Sequence, residues 1–282
     1  MAFFLVMTSA TGVTDPVAAS VQQQLSGAGT PRRLAETAVE IQLPEIQSVT
    51  APDGIDVNVV PAANRRKSLL IADMDSTIIP VECIDELADF AGRKSEVSAI
   101  TERAMRGELD FEEALHSRVA TLKGVTRAQI EQCRRERVSL NPGARTLVAT
   151  MNALGAFTAL VSGGFTVFTG PVSQEAGFQM NRANQLLFDG DVLSGKVAIP
   201  ICGADTKLET LESLLREHDL TGDDVIAVGD GANDAPMIGR AGLGVAYKAR
   251  PVLRRIAKAQ LDHSDLTALL SLQGITSAQY AD

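Results

Sequence analysis

The sequence predicts an α/β fold: a doubly wound parallel sheet that carries a helical insertion and a small α+β unit ahead of it. Three observations lead there. Short apolar runs, Leu69–Ala72, Ala156–Val161, Val225–Val228 and Leu243–Ala246, have the length and composition of strands buried on both faces. Stretches of helical spacing alternate with them, and that alternation calls for parallel strands joined by crossover helices. Three of the runs lead into polar turn chemistry: Asp73-Met74-Asp75-Ser76-Thr77, Ser162-Gly163-Gly164, and Gly229-Asp230-Gly231-Ala232-Asn233-Asp234. In open α/β sheets, ligands collect beyond the carboxyl ends of the strands.

Taken in order, residues 1–65 form the small unit. Phe3–Met7 is strand-like, Asp15-Pro16 opens a helix through Leu25, and Gly27 and Gly29 end it. Ala38–Leu43 and Ile55–Val60 alternate as strands, the second after the turn Pro52-Asp53-Gly54. Pro61–Lys67 is a polar, basic linker, and the chain is expected to fold after deletion of residues 1–62. The core takes residues 66–80 and 140–282. Between its two parts, residues 81–139 change to Glu, Arg, Ala and Leu at helical spacing, with Ile84, Leu87 and Ala91 on one face and Phe111, Leu115 and Val119 on another. This is a helical cap placed over the first strand's carboxyl end. From Asn141 the α/β pattern resumes, with helices over 143–154, 165–176 and 204–218, a hairpin over Leu186–Ala198 turned at Asp189-Gly190-Asp191, and further helices from Pro251.

Composition excludes several classes. The 282 residues carry a formal net charge of −9 and no Trp, and Lys and Arg are not clustered, which argues against nucleic acid as a partner. No run approaches the roughly 18 apolar residues of a membrane helix, and Met1–Met7 lacks the basic flank of a signal peptide. Cys83, Cys133 and Cys202 are too far apart for a disulfide framework or a zinc spacing, which suits a reducing cytoplasm.

The polar strand ends suggest one chemistry. Asp73 and Asp75 repel each other at a sheet rim, and a hard divalent ion such as Mg²⁺ relieves them. The expected metal residues are Asp73, Asp75 and Asp230. Ser162 and the N–H of Gly163 suit phosphate oxygens, since glycine lets the backbone approach and a helix N-terminus favours anions. Lys207, near a helix start, would neutralise the remaining charge and hold the phosphoryl oxygens with them. Asp73 is then the nucleophile of a phosphoryl transfer, and Asp75 the general acid and base. The expected substrate is a small phosphomonoester.

These residues identify a resemblance. Asp73-Met74-Asp75-Ser76-Thr77, Ser162-Gly163-Gly164-Phe165, Lys207 and Gly229–Asp234 resemble the four motifs of the haloacid-dehalogenase-like phosphatases. The likeness runs from residue 66 to about 270 and implies a Rossmann-like core, Mg²⁺ and an aspartyl-phosphate intermediate. It is closest to the branch acting on phosphoserine, which implies O-phospho-L-serine as substrate and a place at the last step of L-serine biosynthesis. Glu82 falls at that branch's acidic substrate residue, and Met105-Arg106-Gly107 with Asp110-Phe111 to Arg118 resembles its arginine-bearing cap segment. Glu82 would pair the substrate ammonium, Arg118 clamp its carboxylate, and Phe111 pack over it and exclude water. Asn233 is counted with the substrate-binding residues. Residues 1–65 resemble part of an ACT-like regulatory domain in element order, which leaves regulation, packing or homodimerisation open as their role.

Other readings compete. Alone, Ser162-Gly163-Gly164 is an ordinary loop and Lys207 a solvated helix lysine, while Glu82 and Arg118 belong to a charge-rich bundle. Another small phosphomonoester, phosphoryl transfer to an acceptor alcohol, or an amino-acid-binding regulator are the alternatives. A regulator has no need of a nucleophile. His116, His218 and His263 are given no role, and Cys83 is read as a buried structural thiol.

Overall fold

Buried strands need partners for every backbone N–H and C=O, and the chain supplies them in two large sheets. The computed structural model describes residues 2–106 and 108–281; Met1, Gly107, Asp282 and the Met105 side chain lie outside that description, so two residues of the quoted cap segment are not described in full. The first elements are β1 (Phe3–Thr8), α1 (Asp15–Gln22), β2 (Arg32–Ala35), β3 (Ala38–Leu43) and β4 (Asp56–Pro61). They make an antiparallel sheet in the order β2-β3-β1-β4. Helix α1 stops at Gln22, short of Leu25, and β2 was not anticipated because Arg32-Arg33-Leu34-Ala35 shows no full alternation.

Then come β5 (Leu69–Ala72) and the four helices α2 (Cys83–Phe90), α3 (Lys94–Met105), α4 (Phe111–Thr121) and α5 (Arg127–Arg137). Capping boxes at Asp110 and Thr126 start the last two. Next are α6 (Ala144–Ala153), β6 (Phe157–Phe165), α7 (Thr166–Ala176), β7 (Met180–Asn184) and the hairpin β8 (Leu186–Asp189) with β9 (Val192–Val197). The chain ends with α8 (Ala204–Glu217), β10 (Val225–Gly229), α9 (Ala235–Arg240), β11 (Leu243–Tyr247), α10 (Pro251–Arg254), β12 (Ala259–Leu261) and α11 (Ala268–Leu272). The stretch expected as helices from Pro251 thus contains a strand.

The second sheet is parallel throughout, in the order β12-β11-β10-β5-β6-β7. Its residues alternate between two apolar layers. Leu70, Ala72, Leu160, Ile226 and Val228 pack with α6, α7, α11 and the inserted helices. Leu69, Ile71, Ala159, Val225 and Ala227 pack with α8, α9 and α10. Because β10, β5 and β6 are neighbours, their carboxyl ends converge. Ser162-Gly163-Gly164, expected beyond its strand, lies within β6 where the register slips between Val161 and Phe165; the slip turns the glycines out of the ladder. No described helix is long and apolar enough to cross a membrane.

The antiparallel sheet is covered on both faces. Leu5, Met7 and Ile41 pack under α1 with Val21. Val6 and Val60, on the opposite face, join the main core. That seam is also polar. Asn58 and Gln260 exchange two hydrogen bonds of 2.9 and 2.8 Å. Asp56 accepts from the N–H groups of Asp262 and His263 and from the Ser264 hydroxyl at 2.8, 3.0 and 2.6 Å. Glu40, 1% exposed, is held by Arg32 and by Arg65 at 2.6 Å. Arg65 also donates to the carbonyls of Leu272 and Ser271 and lies over the Phe4 ring.

Candidate active site

The strand β5 ends against β10, where the Asp73 N–H donates to the Val228 carbonyl at 3.0 Å. That bond fixes the start of the turn over residues 73–78. Asp73 is buried, and its Oδ1 accepts from the Met74 N–H at 2.7 Å and from Lys207 Nζ at 2.7 Å. Among the described residues Oδ2 has no protein partner. Lys207 comes from the first turn of α8 and is 0% exposed. Its second partner is Asp234 Oδ1 at 2.6 Å. Burial alone would lower the lysine pKa, but the two carboxylates outweigh it and raise it. Asp234 Oδ2 accepts from the N–H groups of Asp230 and Gly231 at 3.2 and 3.0 Å, so this fully buried carboxylate is paired at both oxygens.

The neighbouring acids are less well compensated. Burial pushes the Asp73 carboxyl up, and Asp234 and Asp75 add to it against Lys207. Burial, with Glu82 nearby, pushes Asp75 up to about 7. Burial and Asp234 push Asp230 up to about 6. Asp73, Asp230 and Asp234 each bring a carboxylate oxygen within 4.8 Å of the others. Asp75 is not in that trio: its Oδ1 accepts from the Cys83 N–H at 3.2 Å, and its Oδ2 sits where a side chain at Gly164 would intrude, 2.8 Å from the place of a Cβ. Glycine is required there for Asp75 to approach β6. The Ser162 hydroxyl accepts from the Gly164 N–H at 2.8 Å.

One cavity of about 320 Å³ is lined by Asp73, Asp75, Ser162, Gly163, Asp230 and Asn233 from the core and by Glu82, Phe111 and Arg118 from the inserted helices. Lys207 does not line it; its ammonium is screened behind Asp73 and Asp234. The Phe111 ring, 42% exposed, rests over two glycines, with the places of a Cβ at Gly163 and Gly203 only 3.5 and 3.2 Å from ring atoms. Burial lowers the Arg118 pKa, opposed by Asp85, Glu82 and Asp75. Glu82 accepts from the Ser76 hydroxyl at 2.7 Å.

Sequence reasoning missed three contributors. Asp85 and Arg250 line the cavity. Arg250 follows β11, so the rule that strand ends gather ligands could have found it. Asn184, 1% exposed at the end of β7, donates to the carbonyls of Gly163 and Cys202 at 2.8 and 3.1 Å and accepts from the Cys202 N–H at 2.7 Å. It ties the Ser162-Gly163 turn to the segment that opens α8, and no local signal marks it.

A parallel sheet whose adjoining strand ends gather paired aspartates and a serine–glycine stretch, with a buried helix lysine beside them, defines a hydrolase of the phosphoryl-transferring kind. The family description haloacid dehalogenase-like hydrolase matches residues 70–239, and the chain belongs to that family. Relatives within the family include phosphoserine phosphatases: that of Albidiferax ferrireducens is 46% identical over 209 residues, 72% of this chain and 88% of the relative. That of Polaromonas sp. is 44% identical over 234 residues, covering 80% of this chain and 99% of the relative. Among solved structures, an HAD family hydrolase from Salmonella enterica serovar Typhi superposes with a TM-score of 0.85 at 30% identity, over 96% of this chain and 98% of that one. A phospho-aspartyl intermediate analogue of phosphoserine phosphatase superposes at 0.67 with 34% identity, over 73% of this chain and 98% of that one.

Proposed function

We infer that the protein is a phosphoserine phosphatase, hydrolysing O-phospho-L-serine to L-serine and phosphate with Mg²⁺ through an aspartyl phosphate, the last step of L-serine biosynthesis. The observation that carries the substrate is Arg118. Its guanidinium is half-buried and lines the cavity, yet among the described residues it makes no ion pair and only a 3.4 Å bond to the Ala114 carbonyl. A half-buried guanidinium without a carboxylate calls for one from the ligand, and its planar fork matches that group. Glu82 supplies the opposite charge for an ammonium, and Phe111 covers the short side chain between.

The acids fit a hard cation. Three carboxylates converge, and one of them, Asp230, is pushed up to about 6 by burial and by Asp234. Asp234 is satisfied by Lys207 and two N–H groups, so Asp73 and Asp230 are the residues that would hold Mg²⁺. Asp75, whose carboxylate is outside the trio, is assigned to proton transfer. Bound there, Mg²⁺ would neutralise charge on the phosphoryl oxygens.

The chain's own residues do the rest. Lys207 and the Met74 N–H grip Asp73 Oδ1, which leaves Oδ2 to attack phosphorus. The P–O bond to serine breaks, and protonated Asp75 gives its proton to the departing alkoxide. A water then attacks phosphorus, Asp75 takes its proton, and the P–O bond to Asp73 breaks. A carboxyl held near 7 suits both transfers at neutral pH. Ser162 and the Gly163 N–H bind phosphoryl oxygens, with Asn233 beside them. The three cysteines are free and buried, and we place the enzyme in the reducing cytoplasm.

Phosphate release from a panel of phosphomonoesters, with Mg²⁺ and with EDTA, tests this reading. The expected outcome is Mg²⁺-dependent release with the highest kcat/KM for phosphoserine. Full activity in EDTA contradicts the metal, and a preference for esters lacking an amino acid contradicts the substrate.

A further inference from the structure

Ser76 lies one residue beyond the aspartate pair and takes no part in the chemistry above. Its backbone is left-handed, at φ 55° and ψ 4°, next to an extended Asp75 at φ −63° and ψ 138°. A non-glycine residue pays for that conformation, and glycine would hold it at less cost. The conformation is maintained by the loop, since the Ser76 N–H donates to the Val81 carbonyl at 3.2 Å. It also sets the side chain: the hydroxyl donates to Glu82 Oε1 at 2.7 Å. Glu82 is exposed and, among the described residues, receives no other side-chain hydrogen bond or ion pair. A long carboxylate on a solvent-facing wall has many rotamers, and a bond to a fixed donor selects among them.

We propose that Ser76 is a specificity-determining positioning residue, which holds the Glu82 carboxylate in the cavity in the orientation that receives the substrate ammonium. The inference rests on the phosphoserine reading and deepens it. Strain at Ser76 is then the cost of pre-organising a binding group rather than of folding. Two carboxylate oxygens share the work: Oε1 is occupied by the hydroxyl, and Oε2 is left for the ligand. Cys83 follows Glu82 and opens α2, so the backbone of Glu82 is already fixed, and only its side chain needs the hydroxyl.

The test is the ratio of kcat/KM for phosphoserine to kcat/KM for an aryl phosphate, measured in Ser76→Gly, Ser76→Ala, Glu82→Gln and Ser76→Gly/Glu82→Gln. Glycine removes the hydroxyl while suiting the backbone, so thermal stability should be retained in Ser76→Gly. The ratio should fall about fivefold, the size of one ordinary hydrogen bond, chiefly through KM. In the Glu82→Gln background the same change should add little, because the two residues act as a unit. An unchanged ratio in Ser76→Gly beside a reduced one in Glu82→Gln overturns the proposal and leaves the phosphoserine reading standing. An unchanged ratio in Glu82→Gln removes both. Equal losses for the two substrates, accompanied by lower thermal stability, would assign Ser76 to loop structure and also overturn it. Ser76→Ala supplies the same comparison should Ser76→Gly fail to fold.

Discussion

Two regions are appended to the parallel-sheet core, and they are attached in opposite ways. The antiparallel sheet of residues 3–61 is joined by a buried seam in which Glu40, Asp56 and Asn58 find partners on the linker or on β12 and the segment after it. Every partner of these side chains is specific, and losing one strands another. The inserted helices are attached over the cavity; among their charged groups there, Arg118 makes only a 3.4 Å hydrogen bond to its own helix and Glu82 is held by Ser76 at one oxygen. Helix α3 buries only Val97 among its described residues. Elements with few buried contacts open at low free-energy cost, which is what a cap over an active site requires. The contrast is one of pairing: one region uses its polar groups to stay in place, and the other leaves the Arg118 guanidinium without an ion pair among the described residues.

The comparison fails first if neither region is beside the point of reaction. Asp73→Asn should reduce turnover by more than about 10³-fold, because an amide cannot attack phosphorus and the lost step is chemical. Acid-quenched parent enzyme should carry phosphate on Asp73 by mass spectrometry. A pure Asp73→Asn sample that turns over at a normal rate contradicts the mechanism.

The seam is tested by Asp56→Ala. It leaves the N–H groups of Asp262 and His263 without an acceptor and the Ser264 hydroxyl with Thr8 alone, which costs about 2–4 kcal/mol at about 1–3 kcal/mol per buried unsatisfied group after relaxation. For a chain of this size that lowers Tm by about 5–15 °C, read by calorimetry, with KM unchanged. A shift in KM with Tm unmoved would reverse the roles of the two regions.

Metal and pH sharpen the electrostatic side. Burial raises Asp75 to about 7 and, with Asp234, Asp230 to about 6, both above the unfolded value near 3.9. In metal-free protein the folded state therefore binds protons that the unfolded state has released. Stability should rise as pH falls through these values toward about 4, and fall as pH rises through them. Excess Mg²⁺ should raise Tm at about pH 8 and do so less at about pH 5, where protons compete for the same oxygens. A Mg²⁺ shift independent of pH would contradict the carboxylate site. The smallest effect is on the pH profile with an aryl phosphate. Glu82 is second to burial in raising Asp75, so Glu82→Gln should move the Asp75 limb to lower pH. A limb that stays in place would separate the two acids.

Much of the core was legible because each strand that ends in the site is both apolar and terminated by the residues that react. The missed strands β2, β7 and β12 are short and polar in part, as in Met180-Asn181-Arg182-Ala183-Asn184, and form only because a neighbouring edge is there. The seam was hidden for a different reason. Ala38–Leu43 and Ile55–Val60 alternate, which reads as one buried and one wet face, yet Glu40 and Asn58 face the core and are buried there. Polar residues on a covered face look like solvent-facing ones until the partner surface is known. That packing also changes the expectation for a chain without residues 1–62: Arg65 loses Glu40, Gln260 loses Asn58, and Ser264 loses Asp56 and Thr8. In the site, Asp85, Arg250 and Asn184 escaped because their places depend on tertiary contact, whereas Arg118 was found through a motif and not through its spacing.

The central claim is that the core reacts while the cap reads the amino-acid end, and Arg118→Ala tests it most directly. A lost hydrogen bond to a charged group is worth about 1.5–3 kcal/mol, so kcat/KM for phosphoserine should fall about ten- to a hundredfold. An aryl phosphate, which has no carboxylate but uses Asp73 and Asp75 in the same way, should lose far less. Selective loss with phosphoserine is the predicted result; equal losses for both substrates, or none for either, would contradict it.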